Sequence, residues 1–159
     1  MPDAAGFEAF YREHFARIVR ACALVTLDHT LAEDVAAESF ARLWSRWGII
    51  RGDDHAGGYV FKTAMRLSTK ELRNRTGRGP PTPAEADEVQ RALDREDVVR
   101  ALRMLPLRQR QAVVLRDWAG FETKDVARML GAKESTVRVH LARARAHLRE
   151  QLSVEDPER

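Results

Sequence analysis

Wherever apolar residues cluster in this chain they recur every three or four positions, and nowhere do they alternate over the length of a strand. A repeat of about 3.6 residues lays side chains along one face of a helix, so the pattern restricts the chain to helix packed on helix. In "FEAFYREHFARIVRACALVTL" the face is made by Phe7, Phe10, Tyr11, His14, Phe15, Ile18, Val19 and Cys22. In "HTLAEDVAAESFARLWSRWG" it is Leu31, Val35, Phe40, Leu43, Trp44 and Trp47, with Thr30 as the expected cap and Gly48 as the stop. "IIRGDDHAGG" reads as a loop, and a third helix is expected from Gly58 to Arg75. Later helices are predicted over about 89–104, 107–118, 123–130 and 134–151.

The periodicity breaks once. "TGRGPPTPAEADE", Thr76 to Glu88, holds two glycines and three prolines and has no apolar anchor. Such a segment reads as an exposed linker. The fold class expected is all-α: two small helical bundles joined by a flexible linker. The expected division is 1–75, linker 76–88, a second bundle 89–152 and a tail 153–159. A chain of 159 residues split this way has thin cores. Each bundle should gain from docking on something larger.

Several classes of protein are disfavoured. With one cysteine, Cys22, the chain cannot close a disulfide on itself. No apolar run approaches the roughly 18 residues of a membrane span. "MPDAAGFEAF" lacks the basic start and apolar core of a secretion signal. Cytoplasmic localisation without membrane insertion is the expectation. No phosphate-cradling glycine loop, HExxH or GxSxG is present. His14 and Cys22 lie two turns apart on one helix, where packing explains them better than nucleophilic chemistry. His140 and His147 read as surface or packing positions. No catalytic residue, metal or cofactor is expected.

Charge is distributed unevenly although the formal net charge is only +3. Residues 1–50 are slightly acidic. From Arg66 to Gly79 stand Arg66, Lys70, Arg73, Arg75 and Arg78 against Glu71 alone. The linker turns acidic, and the last two predicted helices are basic again through Lys124, Arg128, Lys133, Arg138, Arg143, Arg145 and Arg149. Two basic patches on two tethered bundles favour a bipartite nucleic-acid footprint over a merely solvated face.

The second patch lies in "FETKDVARMLGAKESTVRVHLARARAHLRE". A helix-turn-helix needs a small residue in its first helix, a glycine or its like at the turn and apolar anchors in the second. Ala127, Gly131, Val137 and Leu141 fit, with Val126 and Leu130 completing the contact and Thr123 as a cap. Val137, Leu141, Ala144 and Leu148 share one stripe. Arg138, Arg145 and Arg149 lie on another, about a quarter-turn away. Ser135, Val139 and Ala142 lie near that second stripe. Arg138 suits bidentate contact with a guanine, while Arg145 and Arg149 suit phosphate. The competing reading is an amphipathic hairpin inside a bundle.

Over residues 7–75 and 95–150 the sequence resembles the bacterial RNA polymerase sigma factors of the extracytoplasmic-function type. "DVARMLGAKESTVRVHLARARAHLRE" is similar to the family's reader of the −35 promoter element, and "LPLRQRQAVVLRDWAGF" to the helix before it. "AEDVAAESFARLWSRW" is similar to the segment that docks on the polymerase's largest subunit. The resemblance implies a transcription initiation factor with core RNA polymerase and promoter DNA as partners, and an anti-sigma protein as a further partner common in the family. It implies −35 contacts from Lys133, Ser135, Thr136, Arg138, Val139 and Arg145. It implies −10 contacts from Arg66, Lys70, Arg73 and Arg75. Polymerase contacts would fall to Asp34, Glu38 and Trp44, the last equally readable as core. "RGDDHAGG" matches the place where the family captures a flipped-out base. The chain departs from the family in its basic helix, with Arg66 for a common Asn, Lys70 for an Asp and Glu71 for an aromatic. Two alternatives stay open. One is a stand-alone helix-turn-helix regulator, and the other a sigma-like interaction protein with weak promoter opening.

Overall fold

The structure is a computed structural model. It describes residues 3–50, 53–75 and 96–154. The expected linker 76–88, the start of the helix expected over 89–104 and the end of the tail lie outside the described residues. Every regular element described is helical. In chain order they are α1 (Ala4–Thr26), α2 (His29–Arg46), α3 (Asp53–Asn74), α4 (Glu96–Arg103), α5 (Leu107–Val113), a π-helical turn (Val114–Trp118), α6 (Thr123–Leu130) and α7 (Glu134–Val154).

Capping chemistry explains where the helices begin. Asp3 accepts from the Gly6 amide at 3.0 Å and starts α1. Asp28, rather than the expected Thr30, caps α2 by accepting from the Leu31 amide at 2.9 Å. The same Asp28 carboxylate pairs with Arg75, so one side chain ties the start of α2 to the end of α3. Leu27 ends α1 with φ 57°, a left-handed conformation usually left to glycine. Its side chain is buried against Val99 of α4, which offsets the strain. The expected loop "IIRGDDHAGG" is a correction. The helix already begins at Asp53, so His55, Gly57 and Gly58 are helical. Acidic residues favour a first turn, and Ala56 is fully buried there, holding the extra turn against the core.

The first three helices form one bundle around Ile18, Phe40, Leu43, Val60 and Met65. In the second, α7 packs across α4, α5 and α6. Arg110 is buried in its core. Its guanidinium donates to the carbonyls of Leu102 and Leu105, both at 3.4 Å, at the end of α4. A cation suits a helix C-terminus, yet burial still lowers the Arg110 pKa to about 10.

The two bundles share one continuous apolar core, running from Phe10 in α1 to Ala144 in α7. Each buries the other's surface at a seam where α1 and α3 meet α5, the π turn and α6. Phe61 of α3 meets Phe121 edge-on, with ring centroids 4.8 Å apart. The Arg17 guanidinium lies over both rings and donates to the Ala119 carbonyl. Deeper in, Gln111 is completely buried. Its amide donates to the Thr69 hydroxyl at 2.8 Å and to the Met65 carbonyl at 3.3 Å. A buried amide without partners is costly, so these bonds fix the register of α5 on α3.

Gln111→Ala removes both bonds and opens a cavity. Stability to urea should fall by about 2–4 kcal/mol. Hydrogen exchange should show amides of α3 and α5 losing protection together. Loss confined to one bundle would refute the seam as a shared cooperative contact. Cys22 faces the N-terminal core, where burial pushes its thiol from 9.0 up to about 12. The neutral thiol is therefore kept through neutral pH, and its contribution to stability is lost as pH rises through that window. An alkylating reagent at pH 8.5 should label Cys22 only after unfolding, and labelling of the native chain at the denatured rate would contradict the burial.

Candidate nucleic-acid interface

The last two helices have the geometry expected of them. α6 ends at Gly131, whose φ of 62° and ψ of 37° turn the chain left-handed. An added Cβ there meets nothing within 4 Å, so the need for glycine is conformational and not steric. The Ala132 amide reaches back to the Ala127 carbonyl at 2.9 Å and closes the turn. Val126, Ala127 and Leu130 from α6 are buried, as are Val137, Leu141 and Ala144 from α7. Leu148 is partly buried on the same stripe. Glu122, not Thr123, occupies the N-cap position of α6, without a side-chain cap.

With that stripe docked, the other side of α7 faces outward. Lys133, Ser135, Thr136, Arg138 and Val139 are all exposed. Val139 is 46% exposed, an apolar side chain among polar ones, which suits contact with a thymine methyl. Two of the helix's arginines already hold carboxylates. Arg138 pairs with Glu134 one turn back at 3.0 Å. Arg145 grips Asp117 with two bonds, of 2.8 and 2.6 Å. That hydrogen bonding raises the Arg145 pKa further.

The basic residues of α3 divide differently. Arg66, Lys70 and Arg73 are exposed. All three line a cleft of about 350 Å³ at the seam, whose opposite wall is Arg108, Met129, Leu130 and Gly131. Arg75 is turned away into its pair with Asp28. The stripe beside these cations, Phe61, Met65 and Thr69, is buried. Three of the −10 candidates, Arg66, Lys70 and Arg73, therefore lie against the second bundle, whereas the −35 candidates stand free of the seam.

On α2, Asp34 and Glu38 are exposed on one face, and Glu38 pairs with Arg42 at 3.0 Å. Trp44 is 40% exposed, yet its ring meets Phe7 edge-on at 5.0 Å. It is anchored and presented at once. Trp47 is partly buried against Phe7 and Phe10. Sequence reading missed Gln111, Arg17, Arg108 and Asp117. Only Gln111 carried a signal, as an amide directly before the apolar run "AVVL".

A recessed apolar stripe, a glycine turn and an outward polar face define a helix-turn-helix DNA-binding protein. Residues 95–148 match the family model "Sigma-70, region 4". Over 98% of its length the chain is 30% identical to the RNA polymerase sigma-E factor of Streptomyces coelicolor, covering 91% of that protein. It is 31% identical to the ECF RNA polymerase sigma factor SigM of Mycobacterium tuberculosis, over 92% of this chain and 76% of that one. The corresponding figures for SigL of the same species are 32%, 87% and 84%. The chain belongs to the ECF family of RNA polymerase sigma factors. Its fold is that of the sigma factor RpoE in complex with the anti-sigma factor NepR from Bartonella quintana (TM-score 0.73, 22% identity, 92% of this chain and 98% of that one). It is also that of CnrH in complex with the cytosolic domain of CnrY (TM-score 0.73, 20% identity, 96% and 90%).

Proposed function

We propose that this protein joins core RNA polymerase as a transcription initiation factor and directs it to promoters through paired −10 and −35 contacts. The observation that carries this reading is the free face of α7, in a chain of this family. Lys133, Ser135, Thr136, Arg138 and Val139 form a compact reading surface on a helix whose opposite stripe is locked to its own bundle. Arg138 supplies base contact, and Lys133 and Arg149 supply phosphate contact. Arg66, Lys70 and Arg73 serve the −10 region, with Arg75 joining them if its pair with Asp28 opens. Asp34, Glu38 and Trp44 form the polymerase-facing surface. The chain contributes no catalytic group, since the chemistry belongs to the polymerase. It acts in the cytoplasm, where polymerase and promoter meet, and among the described residues no helix is long and apolar enough to cross a membrane. An anti-sigma protein is a further partner.

The closed seam then has a consequence. The −10 and −35 elements are about 25 base pairs apart, roughly 85 Å at about 3.4 Å per pair. A compact chain of this length has a radius of gyration of about 15 Å. The closed form cannot reach both elements, and the −10 cations line the seam. The bundles therefore part on the polymerase, where tethering keeps each at high effective concentration near its element. The departures at Arg66, Lys70 and Glu71 favour a second reading, a sigma-like interaction protein that binds polymerase but opens promoters weakly.

Co-elution with purified core polymerase at moderate salt is the first test. A stoichiometric complex is expected. Its absence, together with tight binding of the chain alone to a palindromic duplex, would replace this reading with that of a stand-alone regulator. Normal core binding with poor promoter opening would select the interaction protein. Within the complex, Arg138→Ala should cost about 1–3 kcal/mol of discrimination between matched and altered −35 DNA. An unchanged preference would remove Arg138 from the reading surface.

A further inference from the structure

The Arg145–Asp117 pair stands apart from the other ion pairs of the second bundle. The partners are 28 residues apart and joined by two parallel bonds, Nε to Oδ2 at 2.8 Å and Nη2 to Oδ1 at 2.6 Å. Glu134 with Arg138 and Asp125 with Arg128, by contrast, are neighbours within one helix. Asp117 is brought into position by the π-helical turn. The Ala119 amide bonds the Val114 carbonyl, five residues back, at 2.8 Å. Such a turn holds one more residue than an α-helical turn, so the residues after it are rotated from the phase of α5 by about 100°. Val114 and Leu115 remain in the core, while Asp117 is turned out against α7.

Arg145 lies two turns after Arg138 on the same outward stripe, the one whose arginines suit phosphate contact. There a carboxylate already holds it through Nε and Nη2. A paired arginine brings no net charge to a phosphate and releases no counterion when the phosphate arrives. A carboxylate in that place also repels the backbone. Lys133, Arg143 and Arg149 have no such partner among the described residues.

We propose that Asp117 is an electrostatic brake on DNA binding by α7. It neutralises Arg145 in the free protein and in its complexes with duplex, so that Arg145 positions the helix instead of contacting phosphate. The sequence-independent part of the affinity is thereby held down, and productive binding depends on base contacts and on delivery by the polymerase. The proposal rests on α7 as the DNA-facing helix, but its test needs neither polymerase nor a known promoter.

The experiment is a salt titration of the complete chain binding a random-sequence duplex, for wild type, Asp117→Asn and the double variant Asp117→Asn/Arg145→Gln. Circular dichroism melts accompany each variant to confirm a folded chain. Freeing one arginine for one phosphate should steepen the slope of log K against log salt by about 0.9. Asp117→Asn should show that steeper slope and severalfold tighter binding at low salt. The double variant, whose amides keep the shape of the pair without its charges, should keep the wild-type slope. An Asp117→Asn slope equal to wild type would overturn the proposal. So would a double-variant slope shallower by about 0.9, because Arg145 would then already hold a phosphate in the wild type. Should Asp117→Asn unfold, Asp117→Ser takes its place and is read by the same slope. Failure of the initiation-factor reading would instead appear as a missing polymerase complex, with these slopes unaffected.

Discussion

The seam between α3 and the second bundle is the contact on which the rest of the structure depends. Each bundle has little interior of its own. Their buried residues become one core only because Phe61, Met65 and Thr69 present a stripe that Phe121, Gln111 and Met129 can cover. Apolar contact alone is tolerant of sliding. The fully buried amide of Gln111 is not, because any other register would leave its polar atoms unpaired in a dry interior. Arg17 acts similarly at the rim, where it lies over two rings and satisfies the Ala119 carbonyl.

The same seam divides the two proposed nucleic-acid surfaces. α7 keeps its outward polar face in solvent because its apolar stripe is consumed within its own bundle. α3 has no such separation. Its cations stand one helical step from the stripe that closes the seam, so their cleft is walled by Arg108 and the end of α6. Closure and the proposed −10 contact compete for one helix, whereas closure and the proposed −35 contact do not. Regulation by a partner that favours the closed form would act first on the −10 side.

The carboxylates near the basic faces belong to the same logic. Asp28, Glu134 and Asp117 each occupy an arginine that composition alone would assign to nucleic acid. A basic stripe is thus less basic than its sequence. What a duplex meets depends on which pairs survive its approach.

Much of this was legible in the sequence. The 3.6-residue period gave every described helix. The Ala127–Gly131–Val137 spacing located the helix-turn-helix, because a left-handed turn and a close helix contact restrict residue type directly. The start of α3 was misread because Gly and Asp signal a loop locally, while burial of Ala56 is a tertiary fact. Thr30 lost the cap to Asp28 for a related reason, since which of two nearby capping residues is used depends on where the preceding helix stops. By itself the sequence determined helix type, helix faces and family, all of which follow from neighbours within one turn or from likeness to other chains. Only the tertiary structure decided that the bundles share a core, that Gln111 sets their register and that Asp117 holds Arg145. Those contacts join residues dozens of positions apart, and no local periodicity encodes which distant partner a polar side chain will meet.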